Sequence, residues 1–439
     1  MSLPKVLIVG QPFNNDTGGG ITLSNLFAGW NRDRLAVISS GYLLSKNIDT
    51  KVCNTYYQLG HKEQKWIFPL KYLKRKYESG LIKFDNQRIQ DLTIHKSKLR
   101  VRIIKDFMYP FLNYIGVSHC VSKINLSGEL CNWLDNFKPD ILYVQVNFRE
   151  EILFCLQLQS YLKKPLVLHM MDDWPSTIGK KGLFKNFWYK KIDKELRSLL
   201  DRATVLLSIS DHMANEYKNR YGKEFITFHN PINIDFWQKY QRSSYELNDS
   251  PTILYAGRIG LGIDTSLELI ARAIEDVNKE LNMEIKFVLQ TQEKPLWIKN
   301  YKKVTHTGFV SYHDLPKVFS QSDFLLLPYD FSPQSLQFIQ FSMPTKGPEY
   351  MMSGTPIILF APEETAIVKY CQTYKCAKII TENSINEITK AIKDLIQNET
   401  ERKEIANKAK KIAAENHNSA DVTNDFKNII CSVTAPAFS

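Results

Sequence analysis

Short apolar runs alternate with helical periodicities along the whole chain. The first is Val-Leu-Ile-Val within 5–10, and others follow at 35–39, 141–145, 165–171, 204–210 and 225–229. Runs of this length, bounded by turn residues, suit strands covered on both faces of a parallel sheet. Between several of them the apolar positions recur every three or four residues. In 21–30, for example, Leu23, Leu26, Phe27 and Trp30 share one helix face. The pattern restarts at 252–256 and continues through 284–291, 305–308, 323–329, 356–361 and 377–381. Helices are then expected near 384–397 and 400–416, with a last amphipathic piece over 421–430. Alternating strand and helix predicts an α/β protein with doubly wound parallel sheets. The turn-rich stretch His229-Asn-Pro-Ile-Asn233-Ile-Asp235-Phe236 divides it. The expected domains are 1–229, with a basic helical insertion at about 61–116, then 230–420, and a C-terminal helix within 421–439.

The densest chemistry lies in Ser342-Met-Pro-Thr-Lys346-Gly347-Pro-Glu349-Tyr-Met-Met-Ser-Gly354-Thr-Pro356 and the apolar run that follows. Pro344 and Pro348 are tolerable only before a helix or in its first turn. Gly354 suits the left-handed position that ends a helix, and Pro356 prevents its continuation. Lys346 and Glu349, three apart, share a face of the first turn. Free N–H groups and Lys346 would hold anionic oxygen there, while Glu349 accepted from sugar hydroxyls. The plainer alternative is an exposed capped helix whose Lys and Glu face water. Arg258, just past a strand's end in Gly257-Arg258, offers a guanidinium to a phosphate. His169 and Asp172 end the 165–171 strand, where open α/β sheets bind ligands. A hydrogen-bonded core histidine and a turn or helix cap are their structural alternatives. Residues 14–20 read as a glycine-rich turn with Gly18, Gly19 and Gly20, without the Gly-x-Gly-x-x-Gly dinucleotide fingerprint.

At 439 residues the chain is too long for one core. Its seven cysteines form no Cys-x-x-Cys, which points away from zinc and from a disulfide framework and toward a reducing cytoplasm. Residues 5–10 are too short for a signal-peptide core, and no run is long enough to span a membrane. The net charge of +11 is concentrated: 61–105 holds thirteen Lys and Arg against four acids. Trp66, Leu70, Leu73, Tyr77 and Leu81 recur there at helical spacing, with Lys71, Lys74 and Arg75 turned away. A second series follows at Ile104, Phe107, Met108, Phe111 and Ile115. The segment reads as a basic amphipathic element for an anionic membrane surface, or alternatively as an ordinary helix packed on its own domain. No recognition motif accompanies the charge, so nucleic acid is not an expected partner.

Taken in order, several of these pieces resemble the GT-B class of glycosyltransferases. They are Gly18–Gly20, His169, Ser208-Ile-Ser210, Asn230 to Phe236, Gly257-Arg258, Gly308-Phe309-Val310, Asp323-Phe-Leu-Leu-Leu-Pro328 and Lys346-x-x-Glu349 to Pro356. The resemblance covers nearly all of the chain except about 50–135. It is greatest to bacterial sugar transferases of cell-surface polysaccharide assembly. It implies two Rossmann-like domains facing across a cleft, with the last helix crossing back to the first. It implies a nucleotide-diphosphate-sugar co-substrate, a UDP-sugar ahead of a GDP-sugar, and a glycan or lipid-linked acceptor, with no cofactor and no metal. Glu349 would hold the ribose and Phe309 and Val310 the base. Gly257, Arg258, Lys346 and Gly347 would meet the diphosphate, and Gly19 and Gly20 would close on the donor. His169 would face the reacting sugar, with Asp172 as the other proton acceptor if the reaction inverts. Two departures stand out: Gly260-Leu261-Gly262 replaces a lysine after the arginine, and Phe341 stands where many relatives have a second glutamate. An epimerase or phosphorylase on the same fold, or a non-catalytic sugar-binding subunit, are the competing functions. Work in the cytoplasm, at the inner face of the membrane, completes the expectation.

Overall fold

The computed structural model describes residues 3–15, 17–41, 43–44, 48–68, 70–72, 77–82, 104–178, 182–260 and 262–434. The chain divides into two compact units, Met1–Phe228 with Thr423–Ser439, and His229–Val422.

The first unit contains β1 (Val6–Val9), β2 (Leu35–Ser40), β3 (Tyr56–Leu59), β4 (Gln64–Trp66), β5 (Gly80–Ile82), β6 (Ser122–Ile124), β7 (Ile141–Val144), β8 (Leu166–Met170), β9 (Val205–Ser208) and β10 (Ile226–Thr227). Eight of these form one sheet in the order β10-β9-β8-β7-β1-β2-β3-β5. All neighbours are parallel except the edge strand β5, which runs antiparallel to β3. Every residue of β1, β2, β7 and β8 is buried, as strands sandwiched between helix layers require.

The second unit contains β11 (Thr252–Ala256), β12 (Lys286–Gln290), β13 (Val304–Thr307), β14 (Phe324–Pro328), β15 (Ile357–Phe360) and β16 (Lys378–Ile380). Its sheet is wholly parallel, in the order β13-β12-β11-β14-β15-β16. The order reverses direction between β11 and β14. That reversal opens a crevice beyond the carboxyl ends, where open α/β sheets take ligands. One apolar cluster joins the sheet to the Asp264–Leu281 and Ile385–Gln397 helices. A second, on the opposite face, joins it to the Gly347–Ser353, Ala366–Tyr374 and Glu399–Asn416 helices.

Two expectations need correction. The helix expected from Trp66 to Leu81 does not form among the described residues. Trp66 ends β4, which pairs antiparallel with β6; Leu70–Tyr72 makes a single 3-10 turn; and Leu81 lies in β5. The physical reasons are in the sequence: Pro69 interrupts the stripe, and Gly80 takes φ of +126°, outside any helix. Leu73, Lys74 and Arg75 lie outside the described residues, as do 83–103. The second apolar series is helical, a π turn over Ile104–Met108 leading into Tyr109–Tyr114. The glycine turn is also different. Gly18, Gly19 and Gly20 form the first turn of a helix over Gly18–Leu26, because Thr17 caps it by accepting from the Gly20 N–H. Gly20 is needed there: a Cβ would lie 2.3 Å from the Asn14 side chain that holds Thr17.

The final helix, Ser419–Ser432, sends Phe426 into the first unit's core. Its ring meets Phe27 at 5.0 Å, Phe228 at 5.3 Å and Tyr143 at 6.0 Å, all near edge-to-face. Such a site cannot collapse readily when emptied. Phe426→Ala is expected to destabilise the first unit by about 3–5 kcal/mol. Urea unfolding followed by tryptophan fluorescence checks this, and an unchanged midpoint would show the helix to be peripheral.

Candidate functional site

In the second unit the carboxyl end of β11 meets the start of the Gly347–Ser353 helix. Tyr350 makes the join. Its buried hydroxyl accepts from the Ala256 N–H at 3.1 Å, and its ring packs edge-on against Phe319. Asn230 steadies the approach by donating to the Thr345 carbonyl. Gly354 ends the helix at φ +74°, as expected for the left-handed cap. The helix start offers fewer free donors than expected, because the Gly347 N–H is bonded to the Pro344 carbonyl and Pro348 has none.

Lys346 turns inward at this join. Its Nζ donates to the Ala256 carbonyl and lies 4.9 Å over the Tyr255 ring. Gly257 makes room for it: a Cβ there would sit 1.8 Å from Nζ. The Tyr255 hydroxyl donates to the Arg258 carbonyl at 2.5 Å, fixing the turn that carries the exposed Arg258 side chain. Burial pushes the Lys346 pKa down to about 8; Glu349 opposes that shift and Arg258 adds to it. Burial pushes Glu349 up to about 7, against Lys346 and a hydrogen bond from Tyr312. Glu349 and Lys346 thus hold their charges against desolvation partly through each other.

Tyr312 was not singled out by the sequence. It stacks on Phe236 at 5.4 Å and 9°, and its hydroxyl is bonded to the Glu349 carboxylate. The signal was available, since Tyr312 lies just beyond the carboxyl end of β13, as Phe309 and Val310 do. Phe309 is exposed and Val310 half-buried in that same segment. Phe341 is buried, consistent with an apolar residue in place of a glutamate.

The remaining candidates belong to the first unit. His169 is wholly buried on β8, its Nδ1 against the Tyr143 hydroxyl, and its Nε2 finds no hydrogen-bond partner within bonding geometry among the described residues. Burial pushes its pKa down to about 3, so the imidazole is neutral at physiological pH. Asp172 is exposed, two residues beyond the strand. Asp173 is buried and structural, accepting from Arg220 at 2.8 and 3.2 Å and from Tyr217 at 2.8 Å. Gly19 and Gly20 lie in the capped helix turn described above. The structure therefore gathers Gly257, Arg258, Lys346, Gly347 and Glu349 in one unit and His169, Asp172, Gly19 and Gly20 in the other. Among the described residues no three His, Cys, Asp or Glu converge as metal ligands, and all seven cysteines are free.

Residues 250–398 match the family model described as Glycosyl transferases group 1. No curated protein matches the chain by sequence. The fold is similar to that of HepE from Anabaena, solved with UDP-glucose, at 13% identity and a TM-score of 0.60 over 98% of this chain and 100% of that one. Sucrose-phosphate synthase from Thermosynechococcus elongatus is similar at 11% identity and a TM-score of 0.62, over 99% and 100%. A glycosyltransferase from Rickettsia africae is similar at 10% and 0.61, over 99% and 100%. At such identities the likeness establishes the fold, two parallel-sheet α/β domains of GT-B type.

The Tyr312 hydroxyl favours the charged form of Glu349. Tyr312→Phe is therefore expected to move the Glu349 titration further up from about 7. Carboxyl-labelled NMR reads the midpoint directly. If it stays in place, the hydroxyl does not hold the carboxylate.

Proposed function

Starting from residues 250–398 as a glycosyl transferases group 1 domain, we propose that this protein moves a sugar from a UDP-sugar donor to a glycan or lipid-linked acceptor in surface polysaccharide assembly. The observation that carries the reading is the cluster at the β11 end, where Gly257 admits Lys346 beside Arg258 and Glu349. The UDP-glucose complex of HepE supports the choice of donor.

Cleaving the sugar–phosphate bond leaves new negative charge on the diphosphate. Lys346 and Arg258 carry fixed positive charge at the place where it would develop, so transfer proceeds without a metal. Glu349, steadied by Tyr312, accepts from the ribose hydroxyls, and the base lies along Phe309 and Val310. Gly347 lets the helix start approach the diphosphate. His169, neutral and wholly buried against Tyr143, is assigned no proton transfer. In an inverting reaction the exposed carboxylate of Asp172 is the better proton acceptor of the two. The work is cytoplasmic, at a membrane face where the acceptor is lipid-linked. No helix among the described residues is long and apolar enough to cross a membrane.

Transfer of radiolabelled sugar from UDP-glucose and related donors to an added acceptor is the direct test. Rearranged donor, or sugar phosphate formed with added phosphate, would give the protein to an epimerase or a phosphorylase. Transfer is expected to survive a chelator; loss restored by magnesium or manganese would end the metal-free mechanism.

The pH profile of kcat/KM follows from the same cluster. Glu349 works ionised, so activity falls as pH drops through about 7. Lys346 works protonated, so activity falls again as pH rises through about 8. Glu349→Gln should weaken donor binding and remove the acidic limb. Lys346→Met should lower kcat by about 10²–10³. A profile flat across both values, with near-normal variants, would return this helix to a structural role.

A further inference from the structure

Six large apolar side chains of the first unit stand together in water. Phe107, Phe111 and Tyr114, spaced four and three apart, occupy one face of the helical segment over 104–114, while Leu112 on the other face is buried. Leu183, Phe184 and Phe187 lead into the Lys185–Arg202 helix. Their exposures run from 56% at Tyr114 to 73% at Phe107, where core residues of this unit are close to zero.

Two glycines bring the segments into contact. The Leu183 N–H donates to the Tyr114 carbonyl at 2.7 Å. Gly182, at φ +106°, passes so close that a Cβ would lie 2.6 Å from that carbonyl oxygen. Gly116, at φ +70°, lies against Trp188, whose Nε1 would be 2.5 Å from an added Cβ. The backbone is thus built to hold the two aromatic stretches side by side, with their rings outward.

The charge beside them is mainly positive: 183–191 carries three lysines and no acid, against the single exposed acid Asp106 next to Phe107. Lys185, Lys190 and Lys191 are exposed beside the aromatic rings. A second copy of the chain would bring the same lysines face to face, which argues against self-association through this surface. An aromatic centre within a basic surround matches the interfacial zone of an anionic bilayer, where rings settle at headgroup depth and lysines meet phosphate.

We propose that this surface, formed by 107–114 and 183–191, docks the enzyme on anionic lipid. The docking gives the transferase reading its route to a lipid-linked acceptor, and rests on that reading only for its use. Lipid binding itself needs neither donor nor acceptor.

The test is co-sedimentation of the full-length protein with vesicles of phosphatidylcholine containing about one-third phosphatidylglycerol, against phosphatidylcholine alone. Binding is expected only to the former and should weaken with salt. Two variants, Phe107→Ser with Phe111→Ser and Phe187→Ser, and Lys185→Glu with Lys190→Glu, should each lower partitioning about tenfold or more. UDP binding in solution should be unchanged in both, which also reports that they fold. Indifference to anionic vesicles at low salt overturns the proposal. So does loss on charge reversal of Lys71, Lys74, Arg75 and Lys76 with the aromatic variant unaffected, or capture of an acidic protein while vesicles are ignored. Vesicle binding without sugar transfer would leave the docking standing and remove the transferase reading; transfer without vesicle binding would do the reverse.

Discussion

The Lys346 ammonium against the Ala256 carbonyl is the contact on which the second unit's chemistry depends. It joins the end of a parallel strand to the start of a seven-residue helix, two elements 90 residues apart in sequence. Tyr350 reinforces the join through the neighbouring N–H of Ala256. Because the ammonium lies under Gly257 rather than in open water, desolvation draws its pKa toward neutrality. The same desolvation lifts Glu349. Gly257, by lacking a side chain, leaves the space that the Lys346 ammonium occupies.

This arrangement answers a puzzle posed by the sequence alone. The turn after Arg258 has glycines at 260 and 262 in place of a second cation, and both adopt positive φ. Lys346 provides the charge from the other side of the same crevice. A lysine there has less freedom than one on a loop. It is fixed by a carbonyl and a ring face, and Arg258 beside it is an exposed guanidinium.

How much of this was legible depends on how local the determinant is. Most parallel strands of both sheets could be read because doubly covered parallel strands demand continuous apolar runs, whereas β3 and β5 at the edge of the first sheet, and the β4–β6 ribbon, were not read. The end of the Gly347–Ser353 helix was legible from Gly354 for the same local reason. The Trp66–Leu81 stripe misled because apolar spacing alone does not distinguish a helix from strand, turn and strand; Pro69 and Gly80 were the better guides. The glycines at 18–20 misled in the opposite direction. Composition suggested a turn, but a capping threonine held by Asn14 made them a helix start. Tyr312 acts through a tertiary hydrogen bond to a residue 37 positions away, which no local pattern announces. The burial of His169 is likewise a property of the whole sheet and not of the strand that carries it.

The departures from the plain Rossmann pattern in the first unit are concentrated beyond β3. There an antiparallel edge strand extends the sheet and β4 and β6 form a separate two-stranded ribbon. Their anchor is polar: Glu63 is buried and accepts from the Tyr57 hydroxyl at 3.1 Å, the Gly60 N–H at 3.0 Å and Ser127. Burial alone would raise its pKa, yet these bonds, with one from Ser79, together hold it below the usual carboxylate range. A hydrogen-bonded charge fixes orientation more than it adds stability. The addition can therefore hold a defined position without enlarging the apolar core. Between β5 and β6 the chain leaves Phe107, Phe111 and Tyr114 facing water, while β1 and β7 of the same unit's sheet bury every residue.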